Sequence, residues 1–418
     1  MLDQTQWWSR DRLRALQQQK LRHLLKHASS SCPFYRRRIE QSHLDPGRVD
    51  LEALRDLPPL TKADIRAHSE EMTDWLSKER LYPCTTGGST GDPLIFLIDR
   101  SRQAADQAAR VRSRRWFNID IGQRELYLWG APVELARQDR MKRFRDRLTN
   151  HRLLNAFKMT PAGMSLYLKQ IRRFDPVHIF GYPSSLARLV RHGLDCGRSL
   201  QTPSLRAVFT TGEVFLPSDR AVIEESVSVP VVDGYGSREG GFIAHQCPQG
   251  RYHVTMESLI LELLDSEGRP VTGDRPGEVT VTHLDAFGMP FIRYRTGDMA
   301  RWGVSQCPCG RGLETLDIVE GRKTDMLRTA DGGFAHALSV IYVLREEPAI
   351  RQFKVEQASN LDLDVTVVAD DAFDAHRQRQ IIHLLRKQIG QRIEVRLHRA
   401  REIQPDPSGK HRHVVSSS

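Results

Sequence analysis

Apolar positions in this chain change rhythm twice. Across residues 7–26 they recur at three- and four-residue intervals, which predicts an amphipathic helix. Ser31-Cys32-Pro33-Phe34-Tyr35 interrupts it, and Pro58-Pro59-Leu60-Thr61-Lys62-Ala63-Asp64 reads as a proline stop followed by a Thr-capped helix start. From about 85 to 320 the apolar residues gather into short runs, at 125–129, 177–180, 207–210 and 230–233, alternating with helical stretches. Several of these runs end in Gly-rich turns, the pattern of an α/β core with ligand sites at its strand ends. Runs at 259–264 and 277–282 predict a smaller β element.

The tail follows a different pattern. A strand at 326–329, a helix at 337–346, strands at 350–356 and 361–368, a helix at 376–389 and a strand at 393–398 give the order β-α-β-β-α-β. That order is ferredoxin-like and predicts a separate α+β domain. The expected organisation is a large N-terminal domain over 1–320, with a helical lead-in over 1–80, and a small C-terminal domain over 321–418. The chain shows no internal repeat.

Composition narrows the class. The 418 residues suffice for two or three domains, and 39% hydrophobic with 27% charged content is that of an ordinary soluble protein. No apolar run reaches the roughly 18 residues a membrane helix needs, and the first residues lack the layout of a signal peptide. The expectation is a cytoplasmic protein without a transmembrane segment. A net charge of +10 points to an anionic partner. The excess is concentrated in two patches, 110–115 and 137–152; the second reads as a helix with a solvated basic face. No zinc-finger, RRM or KH signature accompanies them, so nucleic acid is not expected.

Thr85-Thr86-Gly87-Gly88-Ser89-Thr90-Gly91-Asp92-Pro93 is the most informative segment. Its glycines and hydroxyls suit a loop whose N–H groups wrap phosphate oxygens, although it is neither a Walker loop nor a GxGxxG turn. Downstream, in order, come Thr210-Thr211-Gly212-Glu213, Asp233-Gly234-Tyr235-Gly236-Ser237-Arg238-Glu239, Tyr294-Arg295-Thr296-Gly297-Asp298, Gly321-Arg322-Lys323-Thr324-Asp325 and Pro407-Ser408-Gly409-Lys410. Each is weak alone; their order is specific.

Together these motifs resemble the adenylate-forming superfamily, most closely the branch of phenylacetate–CoA ligases and CapK-like capsular-polysaccharide proteins. The resemblance runs from Cys32-Pro33-Phe34-Tyr35 to Gly409-Lys410. It implies an α/β adenylation domain with a small mobile lid. It implies that a carboxylic acid, aryl or arylacetic by family default, attacks ATP to give an acyl-adenylate and pyrophosphate, and that the acyl group then passes to the thiol of CoA. Carried over residue by residue, Thr86, Gly87, Gly88, Ser89, Thr90 and Gly91 would cradle the β- and γ-phosphates, and Glu239 would hold Mg²⁺. Tyr235 would lie against adenine, beside Gly212 and Glu213. Gly236, Ser237 and Arg322 fall among the nucleotide-binding positions, and Asp298 would accept the ribose hydroxyls. Lys410 would bridge the substrate carboxylate and the α-phosphate, and Asp325 would be the hinge. The acyl pocket is expected near 181–184, 210–214 and 236–240. Relatives are commonly dimers, so a homodimer is a further expectation.

Two departures stand out. Most relatives have Lys where this chain has Asp92, which removes a cation from the phosphate loop, and many have Asp where it has Thr324. Acyl transfer to a carrier-protein thiol, an amine or a sugar is the alternative outcome. A non-catalytic nucleotide-binding protein is the third reading.

Six cysteines do not form a disulfide framework. Cys32, Cys84 and Cys196 are scattered. Cys307-Pro-Cys309-Gly310 places two thiolates one residue apart beside turn formers, and Cys247 and His253 from an earlier turn would complete a tetrahedral zinc site, with His245 as the spare ligand. The competing view is reduced cysteines in loops with no metal. Some members of the branch carry a structural zinc in this region, so the resemblance implies a structural role.

Overall fold

The structure is a computed structural model that describes the chain except for residues 77–79, 86–93, 130–148, 157–158, 274, 323–325, 329–333, 337–339, 342, 345–346, 359, 405–413 and 417–418. It divides into two compact units, Met1–Glu320 and Gly321–Ser418.

The first unit opens with α1 (Leu2–Thr5), α2 (Arg10–Ser31), α3 (Pro33–Gln41) and α4 (Lys62–His68). Ser9 caps α2 by accepting the Arg12 N–H, so this helix starts three residues later than the periodicity predicts. Leu13, Leu21, Leu24, Leu25 and Ala28 form its buried stripe. Pro33 opens α3 at a position where its missing N–H costs nothing. Thr61 and Asp64 form a capping box at α4, with reciprocal bonds of 3.2 and 2.8 Å.

An eleven-stranded sheet runs in the order β10-β11-β12-β13-β9-β8-β7-β6-β5-β3-β4 among the described residues. Its members are β3 (Glu125–Trp129), β4 (His151–Asn155), β5 (His178–Gly181), β6 (Ala207–Thr211), β7 (Val231–Ser237), β8 (Gly241–Gln246), β9 (Tyr252–Val254), β10 (Leu259–Leu264), β11 (Gly277–His283), β12 (Tyr294–Trp302) and β13 (Thr315–Arg322). β4, β3, β5, β6 and β7 are parallel. β3, β5 and β6 and the start of β7 carry the mostly apolar runs expected of strands covered on both faces. From β7 onward the pairing turns antiparallel. The hairpin β1 (Tyr82–Thr85) and β2 (Ile95–Ile98) stands apart from this sheet.

Helix α5 (Arg100–Arg115) crosses from β2 to β3, and α6 (Pro161–Phe174), α7 (Pro183–Asp195) and α8 (Pro217–Ser226) connect the parallel strands. One apolar cluster joins α2 and α3 to β8–β12; another lies among α6, α7, α8 and the parallel strands. The basic patch at 110–115 belongs to α5, and much of it is internal: Arg112 and Arg114 are 3% and 8% exposed. Most of the second patch lies outside the described residues.

The second unit has a four-stranded sheet in the order β18-β17-β16-β19, built from β16 (Ile350–Gln357), β17 (Leu363–Ala369), β18 (Val395–Arg399) and β19 (Val414–Ser416). Helix α9 (Ala375–Ile389) buries Ile381, Leu385 and Ile389. One detail differs from the sequence expectation. β14 (Met326–Arg328) pairs with β15 (Phe334–His336) as a separate ribbon, and β19, parallel to β16, supplies the fourth strand. Alternation along a strand sets which face is buried, not which neighbour it pairs with.

Candidate active site

The parallel strands deliver glycines and acids to one edge. Register pairs Gly181 with Thr210 and Thr211 with Gly234, so the ends of β5, β6 and β7 lie side by side. Ligands in open α/β sheets bind outside such carboxyl ends. Gly212 has φ +81°, and a Cβ there would come within 3.2 Å of the Tyr182 ring. Only glycine fits, and the Tyr182 ring is itself stacked on Trp129 at 4.0 Å and 18°. The Ser184 N–H donates to Glu213 Oε2 at 3.2 Å, joining the first turn of α7 to the loop after β6.

β7 then brings Tyr235 to Asp298 across 63 residues of sequence: the Tyr235 hydroxyl donates to Asp298 Oδ2 at 2.9 Å. Gly236 packs backbone against backbone, since a Cβ there would lie 2.5 Å from the Gly241 carbonyl oxygen. Ser237 Oγ accepts the Gly240 N–H at 2.8 Å and shapes the turn between β7 and β8. That turn carries Glu239, 5% exposed, with the Tyr294 hydroxyl at 3.5 Å and the Lys62 ammonium at 3.9 Å. Its carboxylate oxygens are hard donors suited to Mg²⁺, which is usually held by one or two carboxylates together with substrate phosphates.

Thr86, Gly87, Gly88, Ser89, Thr90 and Gly91 lie outside the described residues, as do Asp92, Thr324, Asp325 and Lys410. Arg322 is described through its backbone alone, as the last residue of β13. Three residues near the site went unnoticed in the sequence: Lys62, and Arg102 and Asp106 of α5. Lys62 stands in a motif quoted for the resemblance, which was the available signal. A guanidinium and a carboxylate inside a charged helix give no such signal.

Two shifted titratable groups set the electrostatics next to this edge. Burial pushes the Asp233 carboxyl up to about 6, against the lowering influence of the Tyr252 and Thr210 hydroxyls. Those hydroxyls donate to it at 2.6 and 2.7 Å. Burial, with Arg112 and Arg114, lowers His245 to about 3, so its ring is neutral at physiological pH. His245 stacks on Phe242 at 5.0 Å and is not among the four clustered donors.

The cysteines form a second cluster. Donor atoms of Cys247, His253, Cys307 and Cys309 all lie within 4.8 Å of one another. Cys247 and Cys307 sulfurs are 3.8 Å apart, matching the separation of about 3.8 Å for two thiolates at about 2.3 Å on one tetrahedral zinc. Cys309 Sγ is 3.2 Å from His253 Nε2. The donor set and its burial fit a closed structural zinc site. Burial pushes the Cys307 thiol up to about 12. At Cys309 burial is outweighed by the N–H and guanidinium of Arg311, which hold the thiol below its usual value. Trp116, just beyond α5, sits edge-on to His253 at 5.9 Å. Gln6 closes the site's flank: its carbonyl accepts the Gly312 N–H at 2.9 Å, and its Oε1 accepts from Trp116 and Arg311 at 2.7 and 3.0 Å.

The family model for the CapK C-terminal domain matches residues 327–417. Protein CapK of Staphylococcus aureus is 21% identical over 411 residues, covering 96% of this chain and 89% of that protein. A phenylacetate-coenzyme A ligase of Escherichia coli (strain K12) is 26% identical, covering 93% and 90%. Among solved structures, a 2-hydroxyisobutyryl-CoA ligase in the postadenylation state matches with a TM-score of 0.78 at 20% identity, over 97% of this chain and 90% of that one.

Proposed function

We propose, for a chain that is a homologue of CapK and the phenylacetate–CoA ligases over most of its length and has the fold of the adenylate-forming CoA ligases, that it activates a carboxylic acid with ATP and passes the acyl group to CoA. The observation that carries this reading is the pairing of Tyr235 of β7 with Asp298 of β12, next to the turn after β7 that holds Glu239 against Tyr294. An acid oxygen attacks the α-phosphorus and pyrophosphate leaves. The CoA thiolate then attacks the acyl carbon and AMP leaves.

A carboxylate is a weak nucleophile facing a polyanion, so cations and donors must offset charge at the phosphates. Mg²⁺ held by Glu239 would neutralise phosphate charge. Asp298 accepts the ribose hydroxyls, and Tyr235, tied to it, lines the adenine side with Gly212, Glu213, Gly236 and Ser237. The loop 86–91 receives the β- and γ-phosphates. Lys410 bridges the acid and the α-phosphate, Arg322 belongs to the nucleotide-binding set, and Asp325 is the hinge of a mobile second unit. The unit Met1–Glu320 is the adenylation domain and Gly321–Ser418 the lid.

The acid is aryl or arylacetic. The stacked Trp129 and Tyr182 rings, with Phe180 at 5.4 Å from Trp129, offer an aromatic wall beside Gly212. Zn²⁺ at Cys247, His253, Cys307 and Cys309 fixes the 307–312 loop and takes no part in the chemistry. The test is incubation with ATP, Mg²⁺, CoA and a panel of aryl, arylacetic, short hydroxy and fatty acids, read by mass spectrometry. AMP together with an aryl-CoA thioester is the expected result. AMP without thioester would move the acceptor to a carrier thiol, amine or sugar, and no AMP with any acid would contradict the reading.

A further inference from the structure

The turn that carries Glu239 is gripped from outside by one helix. Arg102, on the first turn of α5, is 1% exposed. Its Nη2 donates to the carbonyl oxygens of Arg238 and Glu239 at 2.7 and 2.5 Å. The guanidinium lies 5.6 Å from the centroids of both Phe96 and Phe291, which hold its plane in place. One turn later, Asp106 Oδ1 accepts the Phe242 N–H at 3.0 Å. The Asp106 carboxylate also faces His283 at 3.5 Å and Arg102 Nε at 3.9 Å.

Both ends of the segment 238–242 are therefore tied to α5. Between them stands Gly241, with φ +77° and a Cβ position 2.4 Å from Asp106 Oδ1. Any side chain there would push the aspartate away. The start of α5 is fixed in turn: Asp99 Oδ1 accepts the Arg102 N–H at 2.8 Å, and Oδ2 accepts the Phe287 and Gly288 N–H groups at 2.7 and 2.5 Å.

A buried guanidinium is an expensive way to fill space. Arg102 Nε and Nη1 have no hydrogen-bond partner among the described residues, and an apolar side chain of similar volume often does as well or better for stability. What an apolar residue cannot do is fix two consecutive carbonyls, and with them the direction of the side chain between.

We propose that Arg102 and Asp106 are positioning residues that set the Glu239 carboxylate for the metal–nucleotide complex. The proposal rests on the assignment of Glu239 as the Mg²⁺-holding carboxylate. Outer partners of metal ligands typically contribute about 10- to 100-fold in metal affinity, and the low end applies to partners that act through backbone.

The experiment compares wild type, Arg102→Met, Arg102→Lys and Asp106→Ala. It reads the Mg²⁺ concentration for half-maximal acid-dependent pyrophosphate exchange, Mn²⁺–ATP binding by electron paramagnetic resonance, and melting. Arg102→Met should raise the half-saturating Mg²⁺ about tenfold while retaining most of the rate at saturating metal. Arg102→Lys should recover part of this. In a Glu239→Gln background, Arg102→Met should weaken Mn²⁺–ATP binding less than twofold further. Should Arg102→Met not fold, Asp106→Ala carries the test, with a several-fold rise expected. A lower melting temperature with unchanged Mg²⁺ half-saturation and unchanged Mn²⁺–ATP binding would overturn the proposal while leaving the activity intact. A wild type that neither exchanges with any acid nor binds Mn²⁺–ATP in a Glu239-dependent way would remove the reading of the site, and the proposal with it.

Discussion

The two ends of α5 touch two regions that are built differently. Sixteen residues make this helix roughly 24 Å long at about 1.5 Å per residue. Its N-terminal end grips the Glu239 turn through Arg102 and Asp106. Just beyond its C-terminal end, Trp116 packs on His253 of the cysteine cluster. At the cluster, four donors already stand within 4.8 Å of one another, three of them on buried residues, flanked by Gln6 and Arg311. At the turn, the backbone on both sides of a buried carboxylate is tied to α5, and on the proposed reading Mg²⁺ and nucleotide would complete its surroundings. A closed set of ligands fixes chain segments, and an aimed but incomplete set awaits a substrate. The lesson is that buried polar groups tie chain segments in both places, while the proposed reading assigns chemistry to only one of them.

Breaking the cluster should have the largest effect, and on stability. A Cys307→Ser, Cys309→Ser variant should lose its bound metal by elemental analysis. Its melting temperature should fall by on the order of 10 °C, the size expected from losing several kcal/mol in a domain this large. The middle of α5 sharpens the contrast. Arg112 and Glu257, 3% and 1% exposed, pair at 2.6 Å, and the Thr5 hydroxyl also donates to Glu257 at 2.7 Å. Arg112→Met leaves that carboxylate buried and unpaired, which should cost about 3–5 kcal/mol in urea unfolding.

The turn should behave in the opposite way. Glu239→Gln should lower acid-dependent turnover by about 10²- to 10³-fold, roughly 3–4 kcal/mol in the barrier. Its melting should stay within about 1 kcal/mol of wild type. Equal losses of stability and turnover at both ends would erase the distinction.

The smallest effect concerns pH. Asp233 sits two residues before Tyr235, with its carboxyl raised to about 6 by burial. The folded chain therefore holds this proton more tightly than the unfolded chain, whose carboxyl titrates near 3.8. The stabilisation is full below that value and is lost as pH rises through about 6. Between pH 5 and 7.5 it should fall by about 1.4 kcal/mol. Asp233→Asn should remove this slope, as read from urea midpoints at the two pH values.

Much of the parallel core was legible, because runs at 125–129, 177–180, 207–210 and 230–233 are mostly apolar and are followed by glycine turns. The Cys and His residues were legible through their chemistry, since thiolates paired across a Pro-Gly turn have few other roles. The α5 clamp was not. Arginines at 110–115 read only as a basic patch, since charged residues are mostly exposed, and only the fold supplies Glu257, 145 residues from Arg112. Arg102 and Asp106 were hidden for the same reason. In the tail, the three-residue β19 is too short to carry a period, and pairing partners are not written in alternation.

The most direct measurement is carboxylate-dependent exchange of labelled pyrophosphate into ATP, with wild type, Asp298→Ala and Glu239→Gln side by side across the acid panel. The account predicts exchange with an aryl or arylacetic acid that both substitutions reduce at least about 100-fold. Exchange that survives both substitutions, or none with any acid despite ATP binding, would contradict it.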